Sequence, residues 1–145
     1  MVEKVLITGS QGQLMTDIIK EFSFFSDRYD MFAFGKDELD VTNKDLLTKI
    51  IEEIKPDVFI QGASYHVVEA IENNIEYATR VNIDSLHTAA KACGKIGFVL
   101  LIFLPTMFLV MLIIEKLRIV FLIVPMKVLV KNGFRILATF MVFLN

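Results

Sequence analysis

Gly9-Ser10-Gln11-Gly12 falls directly after the apolar run Lys4–Thr8 and directly before a stretch whose apolar residues recur at helical spacing. Glycines at such a junction let the backbone turn tightly and approach a phosphate. A helix starting there offers unpaired N–H groups and the positive end of its dipole. The chemistry this suggests is phosphate binding around Gly9, Gln11 and Gly12. GxxG spacing alone is a weak signature, because strand–helix turns often carry glycines for structural reasons; its place between a strand and an amphipathic helix gives it weight. Other reactive side chains are few. The single cysteine, Cys93, excludes an internal disulfide or a CxxC site and reads as a small buried hydrophobe. His87 lies in a helical stretch, structural or solvated. His66 has two readings, a polar lining residue or an incidental loop residue.

The elements that must position this turn alternate cleanly through the first two thirds of the chain. Lys4–Thr8 reads as a buried parallel strand. The segment 14–25 reads as a helix burying Leu14, Ile18, Ile19 and Phe22, and Tyr29–Phe34 as a second strand. Thr42 is placed to cap a helix running to Ile54, with Leu46, Leu47, Ile50, Ile51 and Ile54 as its apolar stripe. Residues 57–60 read as a third strand, 78–93 as a helix and 97–102 as the start of a fourth strand. Strand–helix alternation with crossovers of this length predicts an α/β fold: a Rossmann-type, doubly wound parallel sheet with helices on both faces.

At 145 residues the chain is long enough for one domain with a real core. A net charge of −2 gives no reason to expect a nucleic-acid partner. The N-terminal residues lack the basic and apolar regions of a signal peptide, and a cytoplasmic location is expected. Charge is unevenly distributed. Residues 1–97 hold 10 Lys and Arg against 16 Asp and Glu, whereas 98–145 hold 5 against 1, so two compositions meet near Gly97.

Four segments, VLITGSQGQL, DELDVT, KPDVFIQGASYHVVEAIE and RVN, carry a family resemblance. In order and spacing they resemble the dTDP-4-dehydrorhamnose reductases, extended members of the short-chain dehydrogenase/reductase superfamily. The usual forms there are close to TGANGQLG, DELDIT, KPDVVINCAAYTAVDKAE and KVN. The resemblance covers about residues 2–97. It implies NAD(P)H-dependent reduction of a nucleotide-sugar ketone in dTDP-rhamnose synthesis. By position it implies that Gly12, Gln13 and Leu14 line the cofactor phosphates and that Asp40 and Val41 flank the adenine. Ala63, Ser64 and Tyr65 would face the ribose and nicotinamide. Where a ribose-reading acid often follows strand two, this chain has Gly35 and Lys36, which favours NADPH over NADH; the alternative is a solvated Lys36. The chain departs from the pattern at Met15, which replaces the third glycine and should push the helix out or demand repacking. It departs again at Gln61-Gly62, in place of Asn-Cys, and at Glu69-Ala70, in place of Asp-Lys.

The family's catalytic groups, a Ser/Thr-Asp-Tyr segment ending strand four and a later Tyr-x-x-x-Lys pair, are not found. The last tyrosine in the sequence is Tyr77. The expectation is a cofactor-binding half, residues 1–102, without catalytic residues. In place of the catalytic segment stands an apolar tail, 103–145, beginning FLPTMFL. One legitimate set of codons for Ile-Ser-Thr-Asp-Tyr-Val-Phe, read one base later, encodes Phe-Leu-Pro-Thr-Met-Phe, so the tail is compatible with a shifted reading frame. Two other readings stay open. Phe98–Ile114 has about the minimum apolar length for a membrane span, and, as the least favoured reading, the tail could form an unusual soluble core. The first reading is preferred, and it leaves a non-catalytic or membrane-tethered NADP(H)-binding module as the alternative function. Oligomeric state is not legible.

Overall fold

The computed structural model of the chain describes residues 2–104 and, as backbone only, two further strands within 125–143. Four parallel strands form the body of the sheet: β1 (Glu3–Thr8), β2 (Tyr29–Phe34), β3 (Val58–Gln61) and β4 (Val99–Leu104). They lie in the order β2-β1-β3-β4, and β5 (Pro125–Leu129) and β6 (Arg135–Phe143) add antiparallel, β6 against β4. The expected doubly wound parallel sheet is therefore present. The sequence reading assigned no element to β5 or β6. Its boundary after residue 102 falls inside β4.

Alternation along β1 distributes the core between two faces, as the period of a strand requires. Val5 and Ile7 pack with Ile60 and Met15 under α1 (Gln13–Ser23), while Leu6 joins Phe59, Leu47, Ile51, Ala89 and Leu100 on the other face. That second face is covered by α2 (Lys44–Ile54) and α5 (Ser85–Ile96). Both faces being covered explains why β1 and β3 read as continuous apolar runs.

Two expectations are corrected. Thr42 does not cap α2: the cap is Asn43, whose Oδ1 accepts from the Leu46 amide at 3.1 Å, while Thr42 donates its hydroxyl and its amide to the Asp40 carboxylate. The helix placed at 78–93 is longer. It begins with α4 (Ile75–Thr79), passes through a π-helical turn at Arg80–Asp84 and continues as α5. A short α3 (Val68–Asn73), unforeseen, precedes it. Gly97, at φ 85°, ends α5 in the left-handed region that favours glycine.

No helix among the described residues is long and apolar enough to cross a membrane. The apolar stretch Phe98–Ile114 runs from Val99 into β4, paired with β3. Its continuation, and the FLPTMFL segment beyond Leu104, lie outside the described residues.

Candidate cofactor site

Strand register places the site. Thr8, Phe34 and Gln61 are level in β1, β2 and β3, so the loops leaving those three strands emerge together at one edge of the sheet. The chain turns to β2 on one side of β1 and to β3 on the other, so this edge is the switch point at which doubly wound sheets bind ligands.

The first loop is held from both sides. Gly9 has φ 69°, and a Cβ there would come within 2.6 Å of the Ala63 backbone nitrogen and 2.7 Å of the Gly62 carbonyl carbon. Only glycine allows this approach between the β1 turn and the end of β3. On the other side the Ser10 amide donates to the Phe34 carbonyl at 3.1 Å. Gly12 is the N-cap of α1 and supplies no side-chain cap, so the first-turn amides at Gln13 and Leu14 face the exposed edge without a side-chain acceptor. That is the arrangement an anion needs. Gln11, Gly12 and Gln13 are exposed and Leu14 half-buried.

The second loop brings Gly35, Lys36, Asp40 and Val41 alongside. Gly35 is buried against the Gln11 side chain, which a Cβ would meet at 2.9 Å. Lys36 is exposed, its Nζ 5.3 Å from the centre of the Tyr77 ring. A hydrogen bond to the Tyr77 side chain, with the electrostatic pull of the same group, raises the Lys36 ammonium above its ordinary pKa. One oxygen of the half-buried Asp40 carboxylate is engaged by Thr42, and the Val41 side chain is buried at 4% exposure.

The third loop, Ala63, Ser64 and Tyr65, is half-buried. Asn82, in the π-turn, fixes its far end: the Tyr65 amide donates to Asn82 Oδ1 at 2.8 Å, and Asn82 Nδ2 donates to the Tyr65 carbonyl at 2.7 Å. Beneath it, buried Thr8 donates to Gln61 Oε1 at 3.0 Å, and Gln61 Nε2 donates to the Ser85 hydroxyl at 3.2 Å. The longer Gln61, where the resemblance has Asn, thus ties β1, β3 and α5 into one satisfied polar chain.

The structure brings all the sequence-predicted positions, on the β1, β2 and β3 loops, to one edge. Sequence reasoning missed Asn82, Tyr77 and Arg80 as parts of this edge. RVN had entered only as a marker of resemblance, and nothing local in it announced a π-turn. His66 and His87 are exposed. Cys93 is buried and donates to the Phe98 carbonyl at 2.6 Å.

Comparison with known proteins fits this edge. The family model described as RmlD substrate binding domain matches residues 3–109. A dTDP-4-dehydrorhamnose reductase of Aggregatibacter actinomycetemcomitans is 37% identical over 89 residues, which is 61% of this chain and 30% of that protein. The crystal structure of the dTDP-4-dehydrorhamnose reductase of Bacillus anthracis in complex with NADP is 32% identical, with a TM-score of 0.64 over 69% of this chain and 35% of that one. A Clostridium acetobutylicum orthologue is 29% identical with a TM-score of 0.63, over 67% of this chain and 34% of that one. The chain thus spans about a third of the length of the relatives it matches. With three loops converging at the switch point and a family match over most of its residues, this chain belongs to the RmlD substrate binding domain family, whose curated relatives are dTDP-4-dehydrorhamnose reductases.

Proposed function

We propose that this chain is the cofactor-binding segment of a dTDP-4-dehydrorhamnose reductase and holds NADP(H) in preference to NAD(H). The observation that carries the reading is the β1 turn: Gly9 close against the Gly62–Ala63 backbone that leaves β3, and Gly12 opening α1 with no side-chain cap. Gly9, Gln11, Gly12, Gln13 and Leu14 would hold the phosphates. Lys36 would meet the 2′-phosphate, Asp40 and Val41 would flank the adenine, and Ala63, Ser64 and Tyr65 would face the ribose and nicotinamide. Because the Val41 side chain is buried, its part would be played by the backbone. The cofactor, when bound, supplies the hydride for a nucleotide-sugar ketone.

These 145 residues would bind the cofactor without completing the reduction themselves. Proton donation in the family belongs to a Tyr-x-x-x-Lys pair beyond strand four, and no tyrosine follows Tyr77. Residues 1–102 would form the cofactor-binding unit and 103–145 would contribute none of its groups. Sequencing the coding DNA beyond codon 97 tests the tail: a Ser-Thr-Asp-Tyr segment in the neighbouring frame supports a shifted reading, and its absence removes that reading.

The binding test is a titration of the purified chain with NADPH and NADH, followed by nicotinamide fluorescence and by calorimetry. Saturable binding, tighter for NADPH, is expected, with no NADPH oxidation when the dTDP-4-dehydro-6-deoxy-sugar is added. Absence of saturable binding to either nucleotide overturns the proposal.

A further inference from the structure

Two cations converge on one tyrosine at the rim of this groove. Lys36 Nζ lies 5.3 Å and the Arg80 guanidinium carbon 5.8 Å from the centre of the Tyr77 ring. Cation–ring contacts at this range are attractive but modest at exposed positions. They leave most of the donor capacity of both groups unused. The ion pairs among the described residues are Lys44–Asp84 and Lys49–Glu53, and neither Lys36 nor Arg80 takes part in one. Asp84 is four residues beyond Arg80, where a helix would normally offer it as a partner. The π-turn spans that interval, and the Asp84 carboxylate is taken by Lys44 at 3.2 Å. Asp37 and Asp40 act on Lys36 only through space, more weakly than Tyr77.

Tyr77 itself is held. Its ring meets Tyr65 edge-on, with centroids 5.1 Å apart and planes at 88°, and the Tyr65 backbone is fixed by the two hydrogen bonds it shares with Asn82, one donated and one accepted. The relay therefore runs from the π-turn, through Tyr65, to the ring on which both cations rest.

We propose that Lys36 and Arg80 together form the recognition site for the 2′-phosphate of the cofactor, with Tyr77 as the positioning residue that holds both cations at the groove. This deepens the cofactor reading above and rests on it. The chemical requirement is a dianion at the ribose end of the nucleotide. An ammonium beside a guanidinium matches it, the guanidinium contributing paired donors and the ammonium a point charge. Gly35 supports the assignment, because it leaves this position after β2 without the carboxylate that reads an unphosphorylated ribose.

The test compares 2′,5′-ADP with 5′-AMP by calorimetry on the full chain. These probes differ only in the 2′-phosphate. The wild-type chain should bind 2′,5′-ADP at least about tenfold more tightly, as one charge-assisted contact provides. Arg80→Gln and Lys36→Gln, both at exposed positions, should each reduce that ratio about fivefold to tenfold with 5′-AMP affinity unchanged. Tyr77→Phe keeps the ring and its packing but removes the hydroxyl that bonds Lys36, and should reduce the ratio by a smaller factor; Tyr77→Ala should reduce it as far as loss of either cation. If both ligands bind but the ratio is indifferent to Arg80→Gln and Lys36→Gln, this inference falls and the cofactor reading stands. If Arg80→Gln weakens both probes equally, Arg80 serves a phosphate common to both and the 2′ assignment is overturned. If the wild-type chain binds neither probe and neither dinucleotide, the cofactor reading falls and this inference with it.

Discussion

Met15 occupies the space that a side chain at Gly62 would need: a Cβ on Gly62 would fall 2.3 Å from Met15 Cγ and 2.4 Å from its Sδ. The two departures from the family pattern, methionine for the third glycine and glycine for cysteine, are thus one exchange of volume across the α1–β3 contact. Met15 is 2% exposed and packs with Val5, Ile7 and Ile60. Of the two consequences expected for Met15, repacking is what the structure contains. Gly62→Ala should cost about 1–3 kcal/mol by overpacking, and Met15→Ala about 2–5 kcal/mol by leaving a cavity. The double variant should be more stable than the sum of these losses by about 1 kcal/mol or more, read from denaturant midpoints. Strict additivity would show that the two sites are independent.

Gly9 and Gly12 should separate under substitution, although both belong to the same turn. Gly9→Ala faces a left-handed backbone cost of about 1–2 kcal/mol and, beyond it, overlap with the Ala63 backbone, which no side-chain motion relieves. Thermal unfolding should fall markedly. At Gly12 the backbone is extended and a Cβ meets only the Gly9 carbonyl oxygen, at 3.2 Å. Gly12→Ala should therefore leave the melting temperature within a few degrees while weakening NADPH binding about tenfold or more, as expected if the glycine is there to admit a phosphate.

Asn82→Ala removes the acceptor for the Tyr65 amide and the donor to its carbonyl in one step. Loss of about 1–3 kcal/mol is expected, since both groups are only part-buried and water can reach them in the variant. Hydrogen exchange at the Tyr65 amide should accelerate by more than at the β1 amides. Uniform acceleration would mean that the bonds serve global stability alone.

Burial raises the pKa of the Cys93 thiol and outweighs the opposing effect of its backbone contact with Phe98. A thiol whose folded pKa exceeds its unfolded value of about 8.5 stabilises the fold fully below that pH and loses the contribution as pH rises through the folded value. Stability should decline from about pH 8.5 upward, and Cys93→Ala should flatten this part of the profile. Alkylation of Cys93 in the native chain should be slow and limited by opening of the fold. Fast alkylation at neutral pH would contradict the burial.

The pattern of residues was enough to mark out the parallel strands and the glycine turn that follows β1, for a local reason. The continuous apolar run in KVLIT, helical spacing in 44–54 and glycines at a strand–helix junction each express constraints acting within a few residues. Family resemblance extended this to Lys36, Asp40 and the Ala63–Tyr65 loop as positions on one edge. Capping by Asn43 rather than Thr42 was a matter of one residue, decided because Asp40 recruits the Thr42 hydroxyl. What no local pattern carried is how side chains from distant segments meet there. Asn82 reaches Tyr65 because a π-turn alters the facing of a helix, Tyr77 gathers Lys36 and Arg80 from two separate elements, and Met15 fits only because Gly62 lies opposite. Those pairings arise when the crossovers bring the ends of β1, β2 and β3 level, and they exist only in the folded chain.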